Sequence, residues 1–178
     1  MFDFVKEIYR KRALRRLPVI ARNAGFLPLN EIHSICYLLP LPQNDVLGTM
    51  KELNRIAKEN NTSLCGIALS TTKESQELVV GFGVIYLTSE NFNFYGLPQW
   101  ECIHELITKS YDLFIDFSVG SDFSSDYISK LINARFKIGK SDYIGNSCDF
   151  IVEMEDKKDN IAFIRSVFKY ISSINNSQ

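Results

Sequence analysis

The chain has 178 residues, 46% of them hydrophobic and 23% charged. That length suits one domain, and that composition excludes a chain disordered throughout. The net charge of -1 hides an asymmetry: residues 1–22 hold seven Lys or Arg against Asp3 and Glu7, while the other 156 residues carry a surplus of six negative charges.

Residues 2–16 read as a helix in which Phe4, Val5, Ile8 and either Ala13 or Leu14 share a face and Lys6, Arg10, Lys11 and Arg15 occupy others. The expected packing puts the apolar stripe on the body and the basic side chains in water. Pro18 should stop the helix, with a second helical turn before Gly25, and residues 26–32 lead into the body.

Residues 34–39 (S-I-C-Y-L-L) read as a strand ended by Pro40 and Pro42, and residues 43–60 as a helix capped by Asn44 or Asp45. With the strand at 63–69 they form a βαβ unit. Residues 71–77 are polar and too short for a helical crossover, so the strand at 78–87 should return antiparallel or lie at an edge. Residues 88–97 form an aromatic-rich loop, and 99–109 a helix behind Pro98.

The most regular stretch is 111–139. It reads as a strand (111–117), a turn at 119–122, a helix capped by Ser124 or Ser125 with Tyr127, Ile128, Leu131 and Ile132 inward, and a strand at 135–138. A last strand at 148–154 and an amphipathic helix at 161–174 follow. Together these elements specify an α/β protein: a basic N-terminal helical segment (1–25), then one three-layer Rossmann-like domain (26–178) with a mostly parallel sheet of five or six strands.

Motifs that would announce chemistry are missing. The chain contains neither G-x-G-x-x-G nor G-x-x-x-x-G-K-[ST], and Gly81-Phe82-Gly83 sits in a strand-like run with no third glycine. Cys36, Cys65, Cys102 and Cys148 are too far apart for a zinc site and read as buried free thiols in a reducing cytoplasm. His33 and His104 lie in no metal-binding pattern, and no serine occupies a G-x-S-x-G elbow. Neither a metal nor a cofactor is expected. Asp112 and Asp116 share one strand face, but an extended chain separates them by about 13 Å, so each is expected to bond a neighbouring element. Residues 1–22 are too charged for the apolar core of a signal peptide, and no apolar run is long enough to span a bilayer.

Two places remain. Ligands of open parallel sheets gather beyond the carboxyl ends of strands. Asn44, Ser118, Ser121 and Asp122 fall there, the last three just before a helix whose N–H groups favour anions; turn and capping chemistry is the competing reading for them. The basic helix is the other place. Lys6, Arg10, Lys11, Arg12, Arg15 and Arg16 could dock a protein partner or a membrane surface, with nucleic acid ranked behind both.

The basic helix, F-Y-G-L-P at 94–98, Y-D-L-F-I-D-F-S at 111–118 and N-A-R-F-K-I-G at 133–139 resemble a group of uncharacterised proteins of Bacteroidetes, a bacterial domain family of unknown function. The resemblance spans nearly the whole chain and implies no activity. Within 111–139, the order Y-D-L-x-I-D, helix, A-R-x-x-x-G also looks like the acceptor-side Rossmann half of heptosyltransferase-type glycosyltransferases. That likeness implies a fold, while the chain has no room for the nucleotide-sugar half. The expectation is a cytoplasmic, non-catalytic binding module, peripheral to the membrane where the basic helix docks there. The alternative is a small-ligand binder or enzyme, glycosyltransferase-like, at the strand ends.

Overall fold

The structure, a computed structural model, describes residues 2–70 and 83–174. The polar turn expected at 71–77, the start of the strand expected from Leu78, Gly81-Phe82 and the chain end after Ile174 lie outside the described residues. The elements run α1 (Phe2–Arg15), β1 (Ser34–Leu41), α2 (Val46–Glu59), β2 (Ser63–Ser70), β3 (Val84–Leu87), α3 (Trp100–Ile107), β4 (Ser110–Asp116), α4 (Phe123–Leu131), β5 (Asn133–Gly139), β6 (Phe150–Ile151) and α5 (Asn160–Ile174). Among the described residues, all six strands form one parallel sheet in the order β3-β2-β1-β4-β5-β6.

Strand order reverses at β1 and β4, the order of dinucleotide-binding folds. Crossovers of one hand then need helices on opposite faces on either side of the reversal. The side chains comply. Ile35, Tyr37, Leu39, Leu113 and Ile115 point to one face, where α2 and α5 bring Met50, Leu53, Phe163 and Val167. Cys36, Leu38, Ile67 and Phe114 point to the other, under Ile103 and Leu106 of α3 and Ile128 of α4. Covering both faces explains why β1 reads as an unbroken apolar run and β4 is apolar from Leu113 to Ile115.

β3 lies at the sheet edge, one of the two placements expected for it, and runs parallel to β2. Several other expectations need correction. No second helical turn follows Pro18; Arg22 instead holds that segment to Asp149 by paired bonds of 2.7 and 2.8 Å and donates to the Ala134 carbonyl. β1 runs through Pro40 to Leu41. The Leu38 carbonyl bonds the Phe117 N–H on the β4 side, so alternation turns the Pro40 nitrogen to that side as well. There β4 pairing has already ended at Leu38–Asp116, and no ladder bond is lost. β6 is only two residues long. On α4, Ser125, Asp126, Ile128 and Ser129 are buried where an apolar face was expected.

The central pair is pinned at its amino end by Asp112, whose carboxylate accepts from the His33 and Ser34 N–H groups and the Ser34 hydroxyl. Gly66 lies beside Tyr37 across β1 and β2, and a Cβ on it would come within 2.2 Å of the Tyr37 ring. Tyr37 is fully buried, and its hydroxyl finds no hydrogen-bond partner among the described residues. An unpaired buried hydroxyl costs about 1–3 kcal/mol. Tyr37→Phe is therefore expected to stabilise the protein by about 1 kcal/mol, read as a raised urea midpoint at unchanged slope; a lowered midpoint would show that the hydroxyl is bonded.

Candidate functional site

The crevice at the strand reversal, where this architecture would seat a ligand, is filled by the protein's own side chains. The Gln43 amide spans it, donating to the Phe117 carbonyl at 3.2 Å. Asn160, at the start of α5, donates to Gln43 Oε1 at 2.7 Å and to Thr49 Oγ1 at 3.2 Å. Lys140, fully buried, donates to Asn160 Oδ1. This relay ties β1, β4, α2 and α5 together and leaves an open cleft of about 250 Å³ to one side. Asn44 lines that cleft, beside Asp45, Asp156, Asp159 and Lys158.

Under α4 lies a buried polar cluster. Asp116 accepts from the Ser118 N–H at 2.9 Å through Oδ1, while its Oδ2, the Ser118 hydroxyl and Asp126 Oδ1 have no partner among the described residues. Asp126 Oδ2 accepts from the Ser121 hydroxyl at 2.9 Å. Burial pushes the Asp116 carboxyl above the usual carboxylate range, with Asp126 adding to the shift. Asp126 is raised by burial too. Tyr143 is raised by burial and then by both carboxyls. Lys137 donates to the Ser129 carbonyl, and burial brings its amine down to about 8. The cluster favours neutral forms on both sides of the charge scale.

The third arrangement joins α1 to the aromatic loop. Tyr9 stacks on Tyr95 with centroids 3.8 Å apart, and Arg10 Nε donates to the Tyr95 carbonyl at 2.7 Å. The Arg10 guanidinium lies 4.6 Å from the Phe123 ring centre and Lys6 Nζ 5.4 Å from that of Phe94. Gly96 has φ +83°, and a Cβ there would meet Arg10 Nη2 at 2.9 Å, so the loop needs glycine both for its turn and for the arginine's passage. The loop holds its shape through Asn93, whose side-chain Oδ1 accepts from the Tyr95 and Leu97 N–H groups. A cavity of about 330 Å³ opens between α1, this loop, the end of β2 and the start of α4.

The residues singled out from the sequence are therefore divided. Ser118 is buried, Ser121 is engaged by Asp126, and Asp122 caps α4 by accepting from the Ser125 N–H at 3.0 Å, the role expected of Ser124 or Ser125. Asn44 and Asp122 line different cavities. Lys6 and Arg10 face the body. Lys11 pairs with Glu7 at 2.8 Å in the open, and Arg12, Arg15 and Arg16 are exposed. The expected apolar stripe is divided: Phe4, Val5 and Ile8 are 69, 52 and 51% exposed, while Ala13 and Leu14, with Leu17 beyond the helix, are half-buried. The ring faces of Phe94 in the loop and Phe123 at the start of α4 attract the cationic side of the helix, at about 0.5–1 kcal/mol for each exposed cation–π contact. That Gln43, Lys140 and Asn160 bond in one relay was not legible in the sequence, because they meet only through the three-dimensional closure of the crevice.

A family model described as a family of unknown function matches residues 4–174. The chain belongs to that family, DUF6913. Membership of DUF6913 carries neither an organism nor an activity. No curated protein and no solved structure matches the chain. Among the described residues, no group of acidic, histidine or cysteine side chains is placed to hold a metal ion, and no helix is long and apolar enough to cross a membrane.

Because the folded protein holds Asp116 above its ordinary value, the native state keeps a proton that the unfolded chain releases at lower pH. The penalty is absent below the ordinary aspartate range and grows as pH rises above it. Asp116→Asn, which keeps the acceptor for Ser118, should raise the unfolding free energy by about 1–3 kcal/mol at pH 7.5, and the gain should shrink toward pH 4. Urea denaturation at several pH values reads this directly, and a variant less stable at pH 7.5 would mean that the carboxylate is held charged.

Proposed function

We propose that the protein is a non-catalytic binding module that docks an anionic membrane surface through the outward side of α1. The observation that carries this reading is the exposure of Phe4, Val5 and Ile8 on a helix already anchored to the body by its other side. Single exposed apolar side chains are ordinary, but several grouped on one helix side form the kind of patch that marks an interaction surface. Phe4, Ile8, Arg12 and Arg15 are spaced at three and four residues and so share one side of the helix. Arg16 continues the basic run just beyond the helix end.

An apolar patch followed by cations is what an interface-seeking helix presents to lipid headgroups. Magnitudes argue that both parts are needed. Burying one large apolar side chain fully contributes about 1.5–3 kcal/mol, and a basic side chain at an anionic leaflet about 1 kcal/mol. Neither three partly inserted side chains nor three arginines would hold a protein of this size alone. Anchoring by the opposite side keeps the outward residues in place and lowers the ordering cost of binding. Association would place a cytoplasmic protein at the membrane periphery.

Vesicle co-sedimentation of the full chain tests this. Binding is expected to phosphatidylglycerol-containing vesicles and not to pure phosphatidylcholine, and it should weaken with salt. Phe4→Ser with Ile8→Ser should lower the affinity at least about tenfold with little change in the unfolding midpoint, since both side chains are more than half exposed. Unchanged binding by that variant would defeat the reading. Failure to bind vesicles, with a protein captured through the same residues, would replace lipid by protein.

A further inference from the structure

From the cavity on the inner side of α1, we infer that this protein has a binding site for a small hydroxylated phosphomonoester, distinct from the outward docking surface. Lys6 and Arg10 lie four residues apart on α1 and both line the cavity, so they are neighbours on one helix side. Among the described residues neither forms an ion pair. Arg10 donates through Nε to Tyr95, which fixes its guanidinium plane against Phe123 and leaves the terminal nitrogens for a ligand. Two cations side by side suit a dianion, and a phosphomonoester carries close to two negative charges near pH 7. Arginine presents the planar fork that matches phosphate oxygens, and lysine adds a mobile point charge.

The remainder of the wall says what the anionic group is attached to. Ser89 and Asn93 supply polar groups, and Leu69 and Phe92 supply apolar area. Asp122 uses Oδ2 to cap α4, and its other carboxylate oxygen makes no hydrogen bond among the described residues. A carboxylate lining the same cavity as two cations repels a bare anion and accepts a hydroxyl, so it selects for an ester with free hydroxyl groups over a simple ion. The volume of about 330 Å³ fits a body of a few carbons beside the phosphate. Lys6 and Arg10 face away from the side of α1 that carries Phe4 and Ile8, so the ligand is a soluble ester and not the headgroup of the bilayer that the outer face would meet.

Calorimetric titration of the full chain with glycerol 3-phosphate, in the absence of lipid, tests the site independently of membrane docking. Binding is expected, about tenfold or more weaker for inorganic phosphate and for glycerol, and declining as pH falls through about 6, where the ester takes up a proton. Lys6→Gln, whose side chain makes no hydrogen bond or ion pair among the described residues, should cost about tenfold and Lys6→Arg should restore affinity. Asp122→Asn should narrow the gap between ester and inorganic phosphate. Lack of binding by the unmodified chain overturns the site, as does equal affinity of the Lys6→Gln variant. Equal binding of inorganic phosphate and ester overturns the ligand class. Vesicle binding by Lys6→Gln should persist; its loss together with ester binding would mean that one surface serves both and that the cavity takes a lipid headgroup.

Discussion

The pairing of β1 with β4 is the interaction on which the remaining structure depends. It is where the parallel sheet reverses its order, and every later placement follows from that reversal. Because the crossovers keep one hand, α2 covers one face and α3 and α4 the other, and α5, which follows β6, packs beside α2. Asp112 fixes the amino end of the pair through two backbone N–H groups and a hydroxyl. At the carboxyl end, Gln43, Asn160 and Lys140 close what would otherwise be a ligand crevice. A fold associated with binding at its reversal point thus spends that point on its own cohesion, and its open cavities lie to either side.

Closing the crevice shifts attention to α1. The helix is held by one stacked tyrosine pair, one charged hydrogen bond and two cation–π contacts, which together amount to a few kcal/mol. That is enough to orient a helix already joined to the body by the Arg22–Asp149 pair and the Phe26 ring, which lies 4.1 Å from Phe136. With the cationic side turned in at Lys6 and Arg10, the apolar residues have nowhere to go but out. The inner and outer sides of one short helix therefore offer two different chemistries: paired cations over a cavity with both polar and apolar walls, and an apolar-basic strip facing solvent.

Much of the architecture was legible in the chain. Strand periodicity located β1, β2, β4 and β5 to within two residues, and the reading of 111–139 as strand, turn, helix and strand holds. What was not legible has physical reasons. A helical repeat tells which residues share a side of α1 but not which side meets the body, and that choice was made by Tyr95, Phe94 and Phe123, remote in sequence. Pro40 stops a strand only where its missing N–H would be used. Ser125, Asp126 and Ser129 read as a polar helix surface because nothing local reveals that Asp116 waits beneath them. Ser118, Ser121 and Asp122 looked alike as turn residues; one is buried, one serves Asp126, and one caps a helix while lining the cavity.

The central claim is that α1 is fastened by its Tyr9–Arg10 side and presents its Phe4–Ile8 side outward. Nitroxide spin labels placed singly at positions 8 and 14 of the full chain test it most directly, by comparing their accessibility to oxygen and to a polar relaxation agent with and without phosphatidylglycerol vesicles. The account requires the label at 8 to be mobile and water-accessible in solution and to gain oxygen accessibility on vesicles, while the label at 14 stays restricted in both. A label at 8 that is immobilised against the body in solution, with 14 free, would contradict it.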